Sequence, residues 1–208
     1  MEERMAQWGI LPPVDGAWLV HDEALEACAQ DFGKVISERP ALVLRPGSIK
    51  DVQCAMRFAA REGLCVAARG DAHSAGGQMQ MKDGLVIDMT ALSEVYRLGP
   101  DSIHVGAGIS WRRLVETTLE RNLTPPVLTD WLDVTVGGTL SMGGLGFSSY
   151  WDGTQMDHIL ELEVVTGDGA VHRVSPSHQP QLFDAVRGTH GQIALIVGVT
   201  LPLRRAPT

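Results

Sequence analysis

Arg69-Gly70-Asp71-Ala72-His73-Ser74, followed at once by Gly76-Gly77-Gln78, sets one imidazole and one hydroxyl among small residues directly after the apolar run Leu64 to Ala68. A turn built this way lets backbone N–H groups approach a phosphate while the histidine faces a ligand. Arg69, Gly70, Asp71, Ala72, His73, Ser74 and Gln78 are therefore candidates for holding a phosphate-bearing cofactor. The same residues also suit an ordinary polar turn, so the surrounding elements have to decide between the two.

The 208 residues are 44% hydrophobic, enough to bury a sizeable core, and can form one large or two small domains. A net charge of −8, from 17 Lys and Arg against 25 Asp and Glu, argues against nucleic acid as a partner, because binding a phosphate backbone needs a cationic face. The basic residues are scattered apart from pairs such as Arg112-Arg113 and Arg204-Arg205. No apolar run approaches the ~20 residues of a membrane span. The start, Met1-Glu2-Glu3-Arg4, is acidic without a signal-peptide pattern, so a cytoplasmic chain without a membrane is expected. Cys28, Cys54 and Cys65 are odd in number, lack C-x-x-C spacing and read as reduced core thiols. The seven histidines form no H-x-x-x-H pair. Asp71 and His73 would suit a single metal ion, but no metal is expected.

From Ala41 onward, elements alternate. Ala41 to Leu44 is a short strand ended by Arg45-Pro46-Gly47; Ser48 then caps a helix with Asp51 at the capping-box position. Val52, Ala55, Met56, Ala59 and Ala60 repeat at helical spacing and give that helix one buried face up to Gly63. Leu64–Ala68, Leu85–Met89 and Ser102–Val105 read as strands, the last closed by Gly106-Ala107-Gly108. Ser110 caps a second helix with the face Trp111, Leu114, Val115, Thr118 and Leu119, a core stripe with Asn122 as its stop. After Pro125-Pro126, the small-residue run from Thr135 to Gly146 reads as a long functional loop, ordered by Val136, Leu140 and Leu145. Ile159–Thr166 and Ala170–Val174 flank Gly167-Asp168-Gly169, a hairpin signal. A short helix, Gln181–Val186, ends at Gly188, and Ile193–Leu203 is a final strand. Ahead of all this, a helix is expected from Asp22 to Phe32, and the stretch with Pro12-Pro13 is irregular. Mixed strands with a few covering helices give an α+β fold.

Three features fall in order: the strand leading into Arg69-Gly70-x-x-His73-Ser74; Thr129-Asp130-Trp131-Leu132 leading into Thr135-Val136-Gly137-Gly138-Thr139-Leu140-Ser141; and the hairpin at Thr166-Gly167-Asp168-Gly169. This order and spacing resemble the flavin-binding domain of the cytokinin dehydrogenases, within the FAD-linked oxidases of the vanillyl-alcohol oxidase (PCMH) type, over roughly Arg39 to Arg204. The resemblance implies a PCMH-type FAD-binding domain of two α+β subdomains across residues 39–208, with residues 1–38 as an extension. It further implies FAD held between the subdomains and covalently bonded from its 8α carbon to His73, a neutral imidazole being a competent nucleophile near pH 7. The turn Gly70 to Ser74 would cradle the pyrophosphate, with Gln78 close to the flavin. Gly137, Gly138, Thr139 and Ser141 would line the other side of the dinucleotide, with Thr135, Gly144 and Ile196 in the same set. Asp130, in Leu128-Thr129-Asp130-Trp131-Leu132, matches the Asp of the family's W-T-D-Y-L motif, which accepts the substrate's N–H; an Asp after Thr in a loop is also a common turn residue.

The chain departs from the family pattern in several places. Ala72 stands where the family has Gly before the His; if φ is positive there, the left-handed conformation costs Ala about 1–2 kcal/mol, so the turn is open to being rebuilt. Near the last strand the family's G-Q-F-G-I-I-T is Gly191-Gln192-Ile193-Ala194-Leu195-Ile196-Val197 here, again with Ala for Gly. No Cys occurs between Asp130 and Gly144, which excludes a doubly attached flavin. The family continues into a substrate-binding domain that is absent from this sequence. The expectation is thus an FAD-dependent oxidoreductase, or one component of it, acting on a small-molecule substrate at a carbon next to nitrogen. The cover would come from a homodimer or from a partner chain with the substrate-binding half; a flavin-holding subunit without catalysis is the rival reading.

Overall fold

The computed structural model describes residues 10–207, so the acidic start read at Met1 to Arg4 lies outside the described residues. Two compact units form, one from the chain up to Ala91 with Val165–Val171, the other from Leu92–Val164 with His172 onward.

In the first unit, strand β1 (Ala17–Leu19), helix α1 (Asp22–Ala27), strand β2 (Leu42–Arg45), helix α2 (Ile49–Glu62), strand β3 (Val66–Arg69) and strand β4 (Leu85–Asp88) follow one another. The sheet order is β1-β2-β4-β3; β2 and β3 both run parallel to β4, and β1 is antiparallel to β2. Leu42, Val43 and Leu44 are all buried, as an inner strand covered on both faces requires. Leu25, Cys28, Val43, Ala67 and Val86 make one core cluster. Helix α2 forms as its spacing predicts: Ser48 Oγ accepts the Asp51 N–H, Val52, Ala55, Met56 and Ala59 are buried, and Gly63 ends it at φ 67°.

Asp51 does more than a capping box asks. Its carboxylate accepts the N–H groups of Gly47 (2.7 Å), Gly16 (2.8 Å) and Asp15 (2.9 Å), so it ties the incoming chain to the start of α2. Burial pushes this carboxyl up, but those N–H groups and the Ser48 hydroxyl outweigh it and hold it below the ordinary carboxylate range. Asp51→Ala is expected to cost about 2–4 kcal/mol, since three N–H groups lose a charged acceptor. Thermal unfolding checks this through a fall of roughly 5–15 °C in Tm. A carboxyl lowered in the folded state stabilises fully above its unfolded value of about 3.9, and that contribution is lost as acid protonates it. The wild type therefore loses stability below about pH 4 more steeply than the variant does.

The second unit holds strands β5 (Val95–Leu98) and β6 (Ser102–Gly106), helix α3 (Trp111–Leu119), strand β7 (Leu123–Thr124), helices α4 (Val136–Met142) and α5 (Ser149–Asp152), strands β8 (Glu161–Thr166) and β9 (Val171–Val174), helix α6 (Pro180–Val186), and strands β10 (Ala194–Pro202) and β11 (Arg204–Arg205). Its main sheet runs β5-β6-β10-β8-β9, and β11 pairs with β7. Alternate residues such as Ile103, Val105, Leu162 and Val164 point into a core shared with Trp111 and Leu114 of α3, Val136 and Leu140 of α4, and Phe183 and Val186 of α6. The residues at the β8–β9 turn, Val165–Val171, cluster with the first unit. There the Gly169 carbonyl accepts Gln53 Nε2 (3.0 Å) and an Arg57 guanidinium N–H (3.2 Å).

The α+β mixture, the two capped helices and the hairpin stand where the sequence placed them, within a few residues at their ends. Four short strands, β1, β5, β7 and β11, carry no pattern strong enough to announce them. The run from Thr135 is not a loop throughout, because α4 occupies Val136–Met142. Two glycines each cost a helix about 1 kcal/mol, but Thr135 caps it and buried Val136 and Leu140 hold it to the core. Helix α1 stops at Ala27 instead of reaching Phe32, whose N–H donates to the Ala72 carbonyl and not back along a helix. Cys28 is buried, Cys54 half-buried and Cys65 exposed, so Cys65 is not a core thiol. Among the described residues, no helix is long and apolar enough to cross a membrane.

Candidate functional site

The turn Gly70 to Gln78 begins at the carboxyl end of β3, beside the parallel strand β4. In sheets with parallel strands this is the edge where ligands bind. Ala72 adopts φ 59°, so the turn is not rebuilt around the missing glycine and the left-handed geometry is kept. Ala72→Gly releases strain of about 1–2 kcal/mol and adds about 0.5–1 kcal/mol of unfolded-chain entropy. A net gain of about 0.5–1 kcal/mol is expected, read as a higher midpoint in urea; a lower midpoint would show that Ala72 is unstrained.

Among the described residues, the backbone N–H groups of Asp71, Ala72 and Ser74 have no hydrogen-bond acceptor. Successive N–H groups around a left-handed residue make a concave nest that suits an anion such as a pyrophosphate. The His73 side chain on this turn is about one-third exposed. Its Nδ1 lies 2.9 Å from the Asp71 carbonyl and 3.0 Å from Asp71 Oδ2, so two oxygens face that nitrogen and the neutral ring carries its proton there. Arg69 donates to the Gln30 carbonyl (3.1 Å), and Gln78 Oε1 accepts the Gly76 N–H (3.0 Å).

A second segment braces the turn, one that no motif in the sequence marked. Asp31, 4% exposed, accepts the Gly77 N–H (2.8 Å), the Ser74 hydroxyl (2.9 Å) and the Lys34 N–H (3.1 Å). Burial pushes the Asp31 carboxyl up, yet these bonds and the Gly33 N–H hold it below the ordinary range. The Phe32 N–H donates to the Ala72 carbonyl (2.8 Å) and the Gly33 N–H to the Ser74 carbonyl (3.2 Å). A Cβ on Gly33 would stand 2.3 Å from the Ala75 carbonyl oxygen, so the two chains can pass only with glycine there. The one sequence signal was a Gly two residues after an Asp, too common a turn element to single out.

In the second unit several of the remaining candidates are already engaged. Thr135 Oγ1 accepts the Gly138 N–H (3.3 Å), and the Val136 and Gly137 N–H groups donate to Ile109 (2.9 Å) and Ala107 (2.8 Å). A Cβ on Gly137 would meet the Ala107 Cβ at 2.9 Å, so this glycine lets α4 seat on the segment after β6. Thr139 Oγ1 accepts the buried Trp111 indole N–H (2.9 Å), and Ser141 Oγ donates to the Gly137 carbonyl (2.8 Å). Ile196 is buried in the core on β10. Gly138 is exposed; Gly144, at φ 70°, lies against the buried Gln155 carboxamide, whose two polar atoms have no partner among the described residues. Asp130 is exposed in a bend ahead of α4. At the 70–74 turn the N–H groups of Asp71, Ala72 and Ser74 are thus open, and that donor set fits the pyrophosphate of a dinucleotide.

The sequence profile of the family described as FAD binding domain matches residues 40–175, and the chain belongs to that family. It is 42% identical over 193 residues to an uncharacterized oxidoreductase of the fasciation locus of Rhodococcoides fascians, a match covering 93% of this chain and 44% of that protein. It is 38% identical over 188 residues to cytokinin dehydrogenase 3 of Oryza sativa subsp. japonica, across 86% of this chain and 36% of the relative. Cytokinin dehydrogenase 2 of Arabidopsis thaliana is 35% identical over 187 residues, across 88% and 37%. The chain thus spans less than half the length of these relatives.

Proposed function

We propose that this chain is the FAD-carrying part of an oxidoreductase that takes a hydride from a small molecule at a carbon next to nitrogen, with the flavin covalently attached through His73. The observation that carries this reading is the 70–74 turn, where open N–H groups around left-handed Ala72 lie beside the His73 imidazole. Membership of an FAD-binding family and likeness to proteins named cytokinin dehydrogenase support the cofactor and the substrate class. FAD when bound supplies the two-electron acceptor; the protein supplies binding, orientation and exclusion of water. The turn holds the anionic centre of the dinucleotide, and His73 fixes the flavin end. The direct test is colour. Protein purified from cells with ample riboflavin is expected to be yellow and to stay yellow after acid precipitation. A colourless pellet under a yellow supernatant overturns the covalent bond, and colourless native protein overturns FAD.

In this reading the chain is covered by a second copy or by a partner chain. Supporting this, Phe147, Tyr150 and Trp151 are each four-fifths or more exposed, with Leu145 and Met142 also open to water close by. Aromatic rings gathered in so short a segment mark a surface that takes a cover. Light scattering is expected to give a dimer, or a larger species once proteins encoded alongside are added. A monomer that turns over substrate efficiently refutes the cover.

A further inference from the structure

Phe32 is 72% exposed and contributes nothing to the buried core, yet its ring is stacked on the His73 imidazole, with centroids 5.5 Å apart and planes 11° from parallel. The stack is not a chance contact between two loose side chains. The Phe32 N–H is bonded to the carbonyl of Ala72 and the Gly33 N–H to that of Ser74, the two residues flanking His73. Asp31 completes the join by holding the Ser74 hydroxyl and the Gly77 N–H. An imidazole on a turn otherwise rotates about two side-chain bonds, and a fixed aromatic face removes most of that freedom.

We propose that Phe32 is a positioning residue: seated by Asp31 and Gly33, it holds the His73 ring in the orientation from which a ring nitrogen bonds to the 8α carbon of the flavin as one 8α C–H bond breaks, the proton passing to water and the two electrons, left on the flavin, passing to dissolved O2. The inference rests on His73 being the attachment point. Holding a reacting group in line speeds a step by restricting its geometry, while an exposed ring outside the core adds little to stability.

Apoprotein from riboflavin-starved cells is mixed with FAD, and covalent flavin is followed by the fluorescence of the denatured chain. Phe32→Ala is expected to slow attachment at least about ten-fold, the scale of one aromatic contact and its geometry. Its Tm and its content of dissociable FAD stay at the wild-type level. Phe32→Tyr restores the rate and Phe32→Leu does not, because planarity rather than bulk is what matters. Attachment at the wild-type rate in Phe32→Ala, full rescue by Leu, or a loss that merely follows Tm overturns the inference. Covalent flavin persisting in His73→Ala would instead sink the attachment site itself, whatever Phe32 does.

Discussion

Replacing His73 by Ala is expected to remove covalent flavin completely while leaving FAD that dilution or gel filtration can strip away. The two effects separate because they depend on different atoms. The covalent bond needs a nucleophilic ring nitrogen, and His73 supplies the imidazole of the 70–74 turn. Reversible binding draws on the N–H groups of Asp71, Ala72 and Ser74, which the substitution leaves in place. The fold should survive: the His73 side chain is about one-third exposed, and Asp31 and Gly33 hold the turn without it. Mass spectrometry of the intact chain checks the outcome as loss of the flavin mass. Flavin found on another residue, or a wild-type protein that binds FAD only reversibly, would refute the assignment.

The turn was legible because its chemistry is local. Gly70, Ala72, His73 and Ser74 sit within five residues, so type and spacing alone show what they could do. Helices α2 and α3 were equally readable, since Ser48 and Ser110 cap them and their buried faces repeat at helical spacing. The brace was not readable. Asp31 and Ser74 are 43 residues apart, and no periodicity reports a hydrogen bond across that distance. Residues 28–32 therefore looked like the tail of a helix, when the Phe32 N–H and the Asp31 carboxylate serve the turn. Helix α4 failed for the opposite reason. Local propensity counts Gly137 and Gly138 against a helix, whereas the close seat of Gly137 on Ala107 requires that very absence of a side chain. Small residues read as a ligand-lining loop proved also to be packing residues. The hydroxyls of Thr135, Thr139 and Ser141 each have a partner within the second unit.

Asp130→Asn is expected to leave flavin content and Tm unchanged while slowing reduction of the flavin by substrate by a factor on the order of 10² or more. Asp130 is exposed in the bend before α4, so a change of charge there disturbs no buried group. The chain just beyond it is firmly held: the Trp111 N–H donates to the Val134 carbonyl (3.1 Å), the Arg112 N–H to that of Leu132 (2.8 Å), and the Arg112 guanidinium pairs with Asp133. A carboxylate anchored this way can meet a substrate at a fixed place. In the proposed reaction Asp130 would take the proton from the substrate nitrogen next to the carbon being oxidised, and FAD when bound would supply the two-electron acceptor. Asn keeps the shape of the side chain but cannot take that proton, so the barrier rises at this step alone; 10² corresponds to about 2.7 kcal/mol. Single-turnover measurement of flavin bleaching under anaerobic conditions, on the chain with whatever partner completes it, isolates the step from reoxidation. If bleaching proceeds at the wild-type rate in Asp130→Asn, the residue is a turn-former and the base lies elsewhere.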